Sequence, residues 1–165
     1  DSGGLTAMAP TLVHVLSALE SLNVAVSHLE SVLLANPRPP LRTRIGDALR
    51  DVRSAIVELG RLSPNHPLAV AFLKSAIGEL QEVLTRNLLD ATTTRDLLNR
   101  LTGVSWLVAK QDVEAAIGTH SPLAIALASL LINQGDTSYA QGRYEISSGF
   151  YRAATLVVAF PSHGS

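Results

Sequence analysis

The sequence predicts an all-α protein, an up-down-up-down four-helix bundle extended by a C-terminal helical hairpin. Four successive segments carry apolar residues at alternating spacings of three and four, the spacing of one face of an α-helix. Clusters of proline, glycine or small polar residues separate these segments. The connections are short, and short connections favour antiparallel neighbouring helices.

The first predicted helix covers about residues 10–35. Pro10 suits the first turn, where a missing backbone N–H costs nothing. The segment 36–40 ends the helix, because its three prolines cannot continue one. The apolar stripe is a sustained heptad pattern of Leu12, Val15, Leu19, Leu22, Val26, Leu29 and Leu33.

The next three predicted helices cover about residues 41–62, 68–87 and 94–117. Thr93 and Asp96 have the spacing of a capping box at the start of the last of these. The three stripes are Ile45, Leu49, Val52, Ile56 and Leu59; Val70, Leu73, Ile77, Leu80 and Leu84; and Leu97, Leu101, Val104 and Val108.

Two further helices are predicted over about residues 122–134 and 144–160. The first is apolar on nearly every side, so we expect it to be buried. Its longest apolar stretch, Leu123–Ile132 with Ser129 inside it, is too short to cross a membrane, which takes about 20 residues. We therefore expect one all-helical domain, with residues 10–117 forming the bundle and residues 121–160 forming a hairpin packed on it.

Composition excludes several classes of function. The 165 residues include 13 basic and 14 acidic ones, so no basic excess favours binding to nucleic acid. The absence of cysteine excludes disulfides, cysteine-ligated zinc and cysteine nucleophiles. The mean hydropathy of +0.25 is high for a monomeric soluble protein. Either a well-filled core or an apolar surface covered by a partner or a second copy explains this value.

The C-terminal hairpin resembles the tetratricopeptide helix-turn-helix repeat over about residues 128–161. The matching positions are Gly135, Gly142, Tyr144, Tyr151 and Ala154. In that pattern the first glycine permits close helix approach, the second permits the turn, and the tyrosines fill the space between helices. The serines at 138 and 147 depart from the family pattern, and the proline at 161 falls slightly late. The alternative is an ordinary helical hairpin.

This resemblance implies a protein or peptide partner, because the first helix of such a repeat lines the family's binding surface. The corresponding positions, which we expect to be exposed, are Ser129, Asn133, Asp136 and Tyr139. Asn133 matches a position where some family members hold a peptide backbone or a terminal carboxylate. These four residues are the partner-binding residues that the sequence predicts.

The histidines are the main candidates for chemistry. His66 and His120 each lie just before a Pro-Leu-Ala helix start, at the same end of the predicted bundle. Asp112, Glu114 and the C-terminal His163 can reach that end, so a histidine–carboxylate site is conceivable. The alternative is a pair of exposed loop histidines. His14 and His28 lie off the apolar stripe, and we expect them to be solvated.

Two other patterns have competing interpretations. Six arginines lie between residues 38 and 61; they form either a docking face for an acidic partner or phosphate, or a solvated face with ion pairs such as Asp47–Arg50 and Glu58–Arg61. Trp106, the single tryptophan, lies either in the core, at the bundle edge, or in a cofactor pocket. Four helix glycines predict close helix packing: Gly46, Gly78, Gly103 and Gly149.

We expect a non-enzymatic helical interaction or scaffold domain, with self-association left open and no cofactor. The alternatives are a small-molecule or metal-binding bundle that uses the loop histidines, or a structural or export-associated domain without a dedicated ligand. No serine-elbow, phosphate-loop or His-Glu-x-x-His motif occurs. The chain starts with Asp1 rather than methionine. If a leader was removed, an exported or periplasmic location is slightly favoured; if not, a cytoplasmic location is expected.

Overall fold

The computed structural model describes residues 2–160 of the chain, with side chains from residue 14 onward. Six α-helices and no strands occur in this range. The predicted all-α fold class is confirmed. The helices are α1 (Ser2–Leu34), α2 (Leu41–Leu59), α3 (His66–Thr85), α4 (Ala91–Ala116), α5 (Pro122–Ala140) and α6 (Tyr144–Val157).

Helices α1 to α4 form a bundle. α1 packs against α2 and α4, and α3 packs against the same two helices. Two side-chain pairs give the directions. Arg44, near the start of α2, lies 3.3 Å from Glu79 near the end of α3. His66, the first residue of α3, lies 2.6 Å from Asp112 near the end of α4. These are the pairs that antiparallel neighbours make.

The buried face of α1 is rotated slightly from the predicted stripe. Ala18, Leu22, Ala25 and Leu29 are buried, whereas Leu19, Val26 and Leu33 are only half-buried. α1 packs against two neighbours, so the residues that point between α2 and α4 are the most buried. The alanines at these positions were not part of the apolar pattern, yet they let the helices come close.

The hairpin α5–α6 packs on the bundle through α6. α6 contacts α3 and α4, while α5, in the part of the chain that the structure describes, contacts only α4 and α6. A second core cluster forms here, with Val113 of α4, Ile132 of α5 and Tyr151 of α6 among its members. In the described part of the chain, no helix is long and apolar enough to span a bilayer.

The prediction that α5 is buried is wrong. Leu123, Leu127 and Leu130 are 80%, 46% and 53% exposed. Among the described residues, α5 lies at the edge of the fold with α4 and α6 on one side, so its outer face has no described helix to pack against. The helix also continues past its predicted end at Gln134, to Ala140. Gly135 lies inside this helix rather than at its end. Residue 135 is glycine because the Tyr151 side chain approaches too closely for a Cβ.

Two predicted helix starts are also wrong. α1 extends back to Ser2, with Pro10 inside it; the flanking alanines and leucines favour a helix although proline removes one backbone donor. α4 begins at Ala91 because Asp90, not Thr93, caps it. The backbone N–H of Thr93 donates to Asp90 Oδ2 at 2.9 Å. The predicted capping box with Asp96 lies one turn too late.

The predicted role of the helix glycines holds at two of four positions. A Cβ at Gly78 would lie 2.5 Å from Glu145 Oε2, and one at Gly149 would lie 3.2 Å from a lysine side chain of α3. Both glycines therefore serve the close packing of α3 on α6. At Gly46 and Gly103 the prediction is wrong, because a Cβ there would meet nothing within 4 Å. Gly103 instead opens a cavity.

Candidate functional site

The structure brings together two of the four predicted partner-binding residues. Asp136 and Tyr139 of α5 line one cavity of about 340 Å³, whereas Ser129 and Asn133 do not line it. Asn133 and Asp136 are exposed, as expected, but Ser129 and Tyr139 are half-buried. Tyr139 turns toward α4 because α5 packs on that helix.

Three helices supply the walls of this cavity, which we call the Trp106 pocket. α4 contributes Gly103 and Trp106, α5 contributes Asp136 and Tyr139, and α6 contributes Tyr151. Gly103 and Trp106 are three residues apart and therefore share a face of α4. The Trp106 side chain is 37% exposed, which places it at the edge of the bundle.

A short hydrogen bond joins the inner wall to the acidic residue. The Tyr151 hydroxyl donates to Asp136 Oδ1 at 2.6 Å. Tyr151 is buried, and this burial, assisted by the bond to Asp136, raises the pKa of its phenol. The phenol therefore stays a neutral donor at physiological pH and fixes one carboxylate oxygen of Asp136.

Tyr139, the second tyrosine of the pocket, is fixed by contacts with Asn99 and Tyr144. Its hydroxyl donates to Asn99 Oδ1 at 3.1 Å, and its ring meets Tyr144 edge-to-face with centroids 5.9 Å apart. Burial raises the pKa of Tyr139, and the nearby Tyr144 adds to this shift. Two contacts thus fix the orientation of the Tyr139 ring.

The hairpin geometry agrees with the roles expected for its two glycines. A Cβ at Gly135 would lie 2.5 Å from Tyr151 Cε1, and Gly142 forms the turn with φ +73°. The buried Ser147 donates to the backbone oxygen of Gly135 at 2.7 Å, which ties the two helices together. Ala154 is buried at the crossing. The resemblance to a tetratricopeptide repeat stays a prediction.

A second cavity lies at the end of the bundle where the sequence placed the histidine site. This histidine cleft, of about 570 Å³, includes His66, Asp112, His120 and Arg152 in its lining. Leu156 of α6 and the apolar residues 158–160 that follow this helix also line it. Glu114 is exposed and does not line the cleft. His163 lies outside the described residues.

His66 and Asp112 form the one predicted histidine–carboxylate pair that the structure shows. His66 Nδ1 lies 2.6 Å from Asp112 Oδ1. The hydrogen bond to Asp112 raises the pKa of His66, against the opposing effect of burial. Because Nδ1 faces the carboxylate, Nε2 is the ring nitrogen left for a ligand or a proton.

His120 lacks one hydrogen bond. Its Nδ1 lies 2.9 Å from the oxygen of the Thr119 hydroxyl. That hydroxyl donates its proton to Ala116 O at 3.1 Å. Its Nε2 is buried and has no hydrogen-bond partner within residues 2–160. A buried, unsatisfied nitrogen costs about 1–3 kcal/mol, which a ligand donor or acceptor would recover.

The histidine cleft holds an acid–base pair but little else for catalysis. Over the described ranges, no hydrogen bond joins His66 to a hydroxyl group, and the Thr119 hydroxyl beside His120 donates its proton to Ala116 O rather than to the ring. No group of three or more histidine and acidic side chains suited to a metal ion occurs in the same part of the chain. His66 and His120 can therefore polarise or bind a small molecule.

The arginine-rich face of α2 consists largely of ion pairs. The predicted pairs Asp47–Arg50 and Glu58–Arg61 form at 3.3 and 3.1 Å. Two more arginines pair with α1 and α3, at Glu30 and Glu79. Four of the six arginines between residues 38 and 61 are thus already neutralised, which favours the solvated-face interpretation.

No family model, curated protein or solved structure matches this chain. The function proposed below therefore depends on the geometry of the described residues alone.

Sequence reasoning missed the surface that the fold leaves most open. The exposed leucines of α5 were expected in the core, since a helix apolar on all sides is usually buried. The one available signal was the place of α5 in the chain. It follows a bundle whose four helices already pack against one another, so, within residues 2–160, helices contact only its inner side.

Proposed function

We propose that this protein is a non-enzymatic helical interaction domain that self-associates through the outer face of α5. The exposed leucine stripe of that helix carries the proposal: Leu123, Leu127 and Leu130. They are spaced by four and three residues and therefore lie on one side of the helix. Several exposed leucines on one helix face are typical of a binding surface.

The stripe differs from the other exposed apolar residues. Leu34 ends α1 and Leu62 lies in the α2–α3 connection, whereas Val57 and Ile146 lie within α2 and α6 with no other exposed large apolar residue three or four positions away. Scattered residues of this kind are normal on protein surfaces. The stripe, in contrast, spans two turns of a regular helix. Leucines at such spacing are the anchors by which one helix docks against another.

Charge favours a second copy as the occupant. Residues 122–132 include no charged side chain. When two copies of one surface meet around a twofold axis, each residue faces its own kind or a near neighbour, so like charges would repel. An uncharged face avoids this repulsion. Burying each leucine contributes about 1.5–3 kcal/mol at most, so we expect weak, concentration-dependent pairing.

The first experiment is sedimentation over a range of concentrations. Wild-type protein should shift from monomer to dimer, and Leu127→Arg should remain a monomer because it places a charge in the contact. Leu62→Arg is the matched control, since it makes the same change at a fully exposed leucine outside α5. Equal effects of the two substitutions would contradict the role of α5.

Cross-linking tests the same contact directly. The chain has no cysteine, so a single introduced thiol has no competitor. Leu127→Cys should form an intermolecular disulfide under mild oxidation, and Leu62→Cys should do so much more slowly. A wild-type protein that stays monomeric at all concentrations, with equal cross-linking rates, would refute self-association.

A second candidate function is small-molecule binding in the histidine cleft. The Nε2 of His120, which is buried and has no hydrogen-bond partner among the described residues, favours it, together with the His66–Asp112 pair. A metal survey of untagged protein and an NMR titration of the histidine rings with small carboxylates would test it. His120→Gln should remove any bound ligand, whereas the exposed His28→Gln should not.

A further inference from the structure

We infer that the Trp106 pocket binds an organic cation, an ammonium or guanidinium group. This proposal uses a different surface from the leucine stripe and does not depend on self-association. The chain has only seven aromatic residues, one Trp, three Tyr and three Phe. Three of them, Trp106, Tyr139 and Tyr151, line this one cavity of about 340 Å³.

The aromatic composition favours a positive ligand. The faces of indole and phenol rings carry negative potential, and tryptophan is the strongest binder of cations among the aromatic side chains. Trp106 is partly exposed and Tyr139 half-buried, so both rings are accessible from solvent. Tyr151 is buried and forms the inner wall.

The charge of the lining points the same way. Asp136 is exposed and is the one ionisable acid of the pocket, and no lysine, arginine or histidine lines it. Asp136 makes no ion pair with any residue whose side chain the structure describes. One of its oxygens accepts the hydrogen bond from Tyr151, and no hydrogen bond from another described residue is seen at the second oxygen. An anion would be repelled here, whereas a cation would gain both a carboxylate and aromatic faces.

The pocket is also held in shape before a ligand arrives. Tyr139 is fixed by Asn99 and Tyr144, and Asp136 is fixed by Tyr151. Fixed side chains lose little entropy on binding, which increases affinity. The floor is open because residue 103 is glycine, and a Cβ there would meet nothing within 4 Å.

Choline and its neutral analogue 3,3-dimethylbutanol give a direct test, because they have nearly the same shape and differ in charge. Trp106 is the only tryptophan, so its fluorescence reports on this pocket alone. Choline should change the emission saturably, with affinity about tenfold above that of the neutral analogue. Equal affinities, or no saturable change with choline at about 0.1 M, would overturn the proposal.

Two variants locate the site. Gly103→Leu should abolish the choline response, since it fills the floor and its Cβ meets nothing within 4 Å, whereas Gly46→Leu, the other α-helical glycine whose Cβ would meet nothing within 4 Å, should leave it intact. Asp136→Asn should weaken choline binding about fivefold, and Glu114→Gln, an exposed acid on α4 outside the pocket, should not. A full choline response in Gly103→Leu would refute this location.

The source of the cation is resolved by a third set of probes. N-acetyl-lysinamide and N-acetyl-argininamide represent the side chains of a protein, and choline represents a free quaternary amine. Tighter binding of the amino acid derivatives would assign the pocket to a basic side chain of a partner. Tighter binding of choline would assign it to a small molecule. Failure of all three would overturn the proposal, whatever the oligomeric state proves to be.

Discussion

Tyr151 packs against the backbone of Gly135 so closely that a Cβ on residue 135 would lie 2.5 Å from Tyr151 Cε1. This contact closes the α5–α6 hairpin. It also sets the position of the Tyr151 hydroxyl, which donates to Asp136 at the next position of α5. One glycine thus connects the packing of the hairpin to the geometry of the Trp106 pocket.

The first prediction concerns this glycine. Gly135→Ala should lower the free energy of unfolding by about 1–3 kcal/mol, because the added methyl overpacks the contact. Gly46→Ala should instead raise it by up to about 1 kcal/mol, since alanine favours the helix and the site has open space. Urea denaturation of both variants measures the difference. Equal changes would contradict the close contact.

The second prediction concerns two buried hydroxyls on α4. Thr102 Oγ1 is buried without a hydrogen-bond partner among the described residues. Ser105, one turn later, accepts a 2.9 Å hydrogen bond from Ser148 of α6 and donates to a backbone oxygen. Thr102→Val should therefore stabilise the fold by about 1 kcal/mol, because it replaces an unsatisfied hydroxyl by a methyl group of similar shape.

Ser105→Ala is the matched opposite. It leaves the buried Ser148 hydroxyl without its acceptor, so we expect a loss of about 1–2 kcal/mol. Thermal and urea unfolding of both variants give the signs. If Thr102→Val is instead destabilised, the Thr102 hydroxyl makes a hydrogen bond in the wild-type protein, which would contradict this prediction.

The third prediction concerns pH. The pKa of His66 is raised above its ordinary value of 6.5, mainly by the hydrogen bond to Asp112. A group whose pKa is raised by folding stabilises the fold fully below its unfolded pKa. This contribution is lost as pH rises through the folded pKa. The free energy of unfolding should therefore fall as pH rises from below 6.5 through the raised folded pKa of His66.

Asp112→Asn supplies the control for the pH experiment. It removes the carboxylate that raises the pKa of His66, so this part of the pH dependence should disappear. Asp136→Asn, far from the cleft, should keep it. An identical pH profile in Asp112→Asn and wild type would contradict the assignment to this pair.

The fourth prediction distinguishes the observed helix cap from the predicted one. Asp90→Ala should lower the melting temperature, because the N–H of Thr93 loses its acceptor. Thr93→Ala should have a smaller effect, since it removes only the side-chain hydrogen bond to Asp90 and leaves the backbone N–H of residue 93 bonded to the cap. Acid should act like Asp90→Ala, because the hydrogen bonds from Thr93 lower the pKa of Asp90 and are lost on protonation. A larger loss of melting temperature in Thr93→Ala than in Asp90→Ala would favour the predicted capping box and contradict the observed cap.

Part of the candidate sites could be predicted from the sequence. His66 and Asp112 were expected at one end, since short connections bring alternate loops together. Asp136 and Tyr139 were singled out by the resemblance. Their junction with Trp106 was not foreseen, because those residues lie more than 25 positions apart and only the packing of α5 on α4 joins them.

The amino-acid order by itself determined the number of helices and the approximate places where they break, because apolar spacing and proline act over a few neighbouring residues. The three-dimensional arrangement decided which faces were covered. Spacing along a helix shows which residues share a side but not whether another helix lies opposite. For that reason Leu127, apolar like the residues around it, is exposed. For the same reason Gly135 is tightly packed while Gly103 borders a cavity.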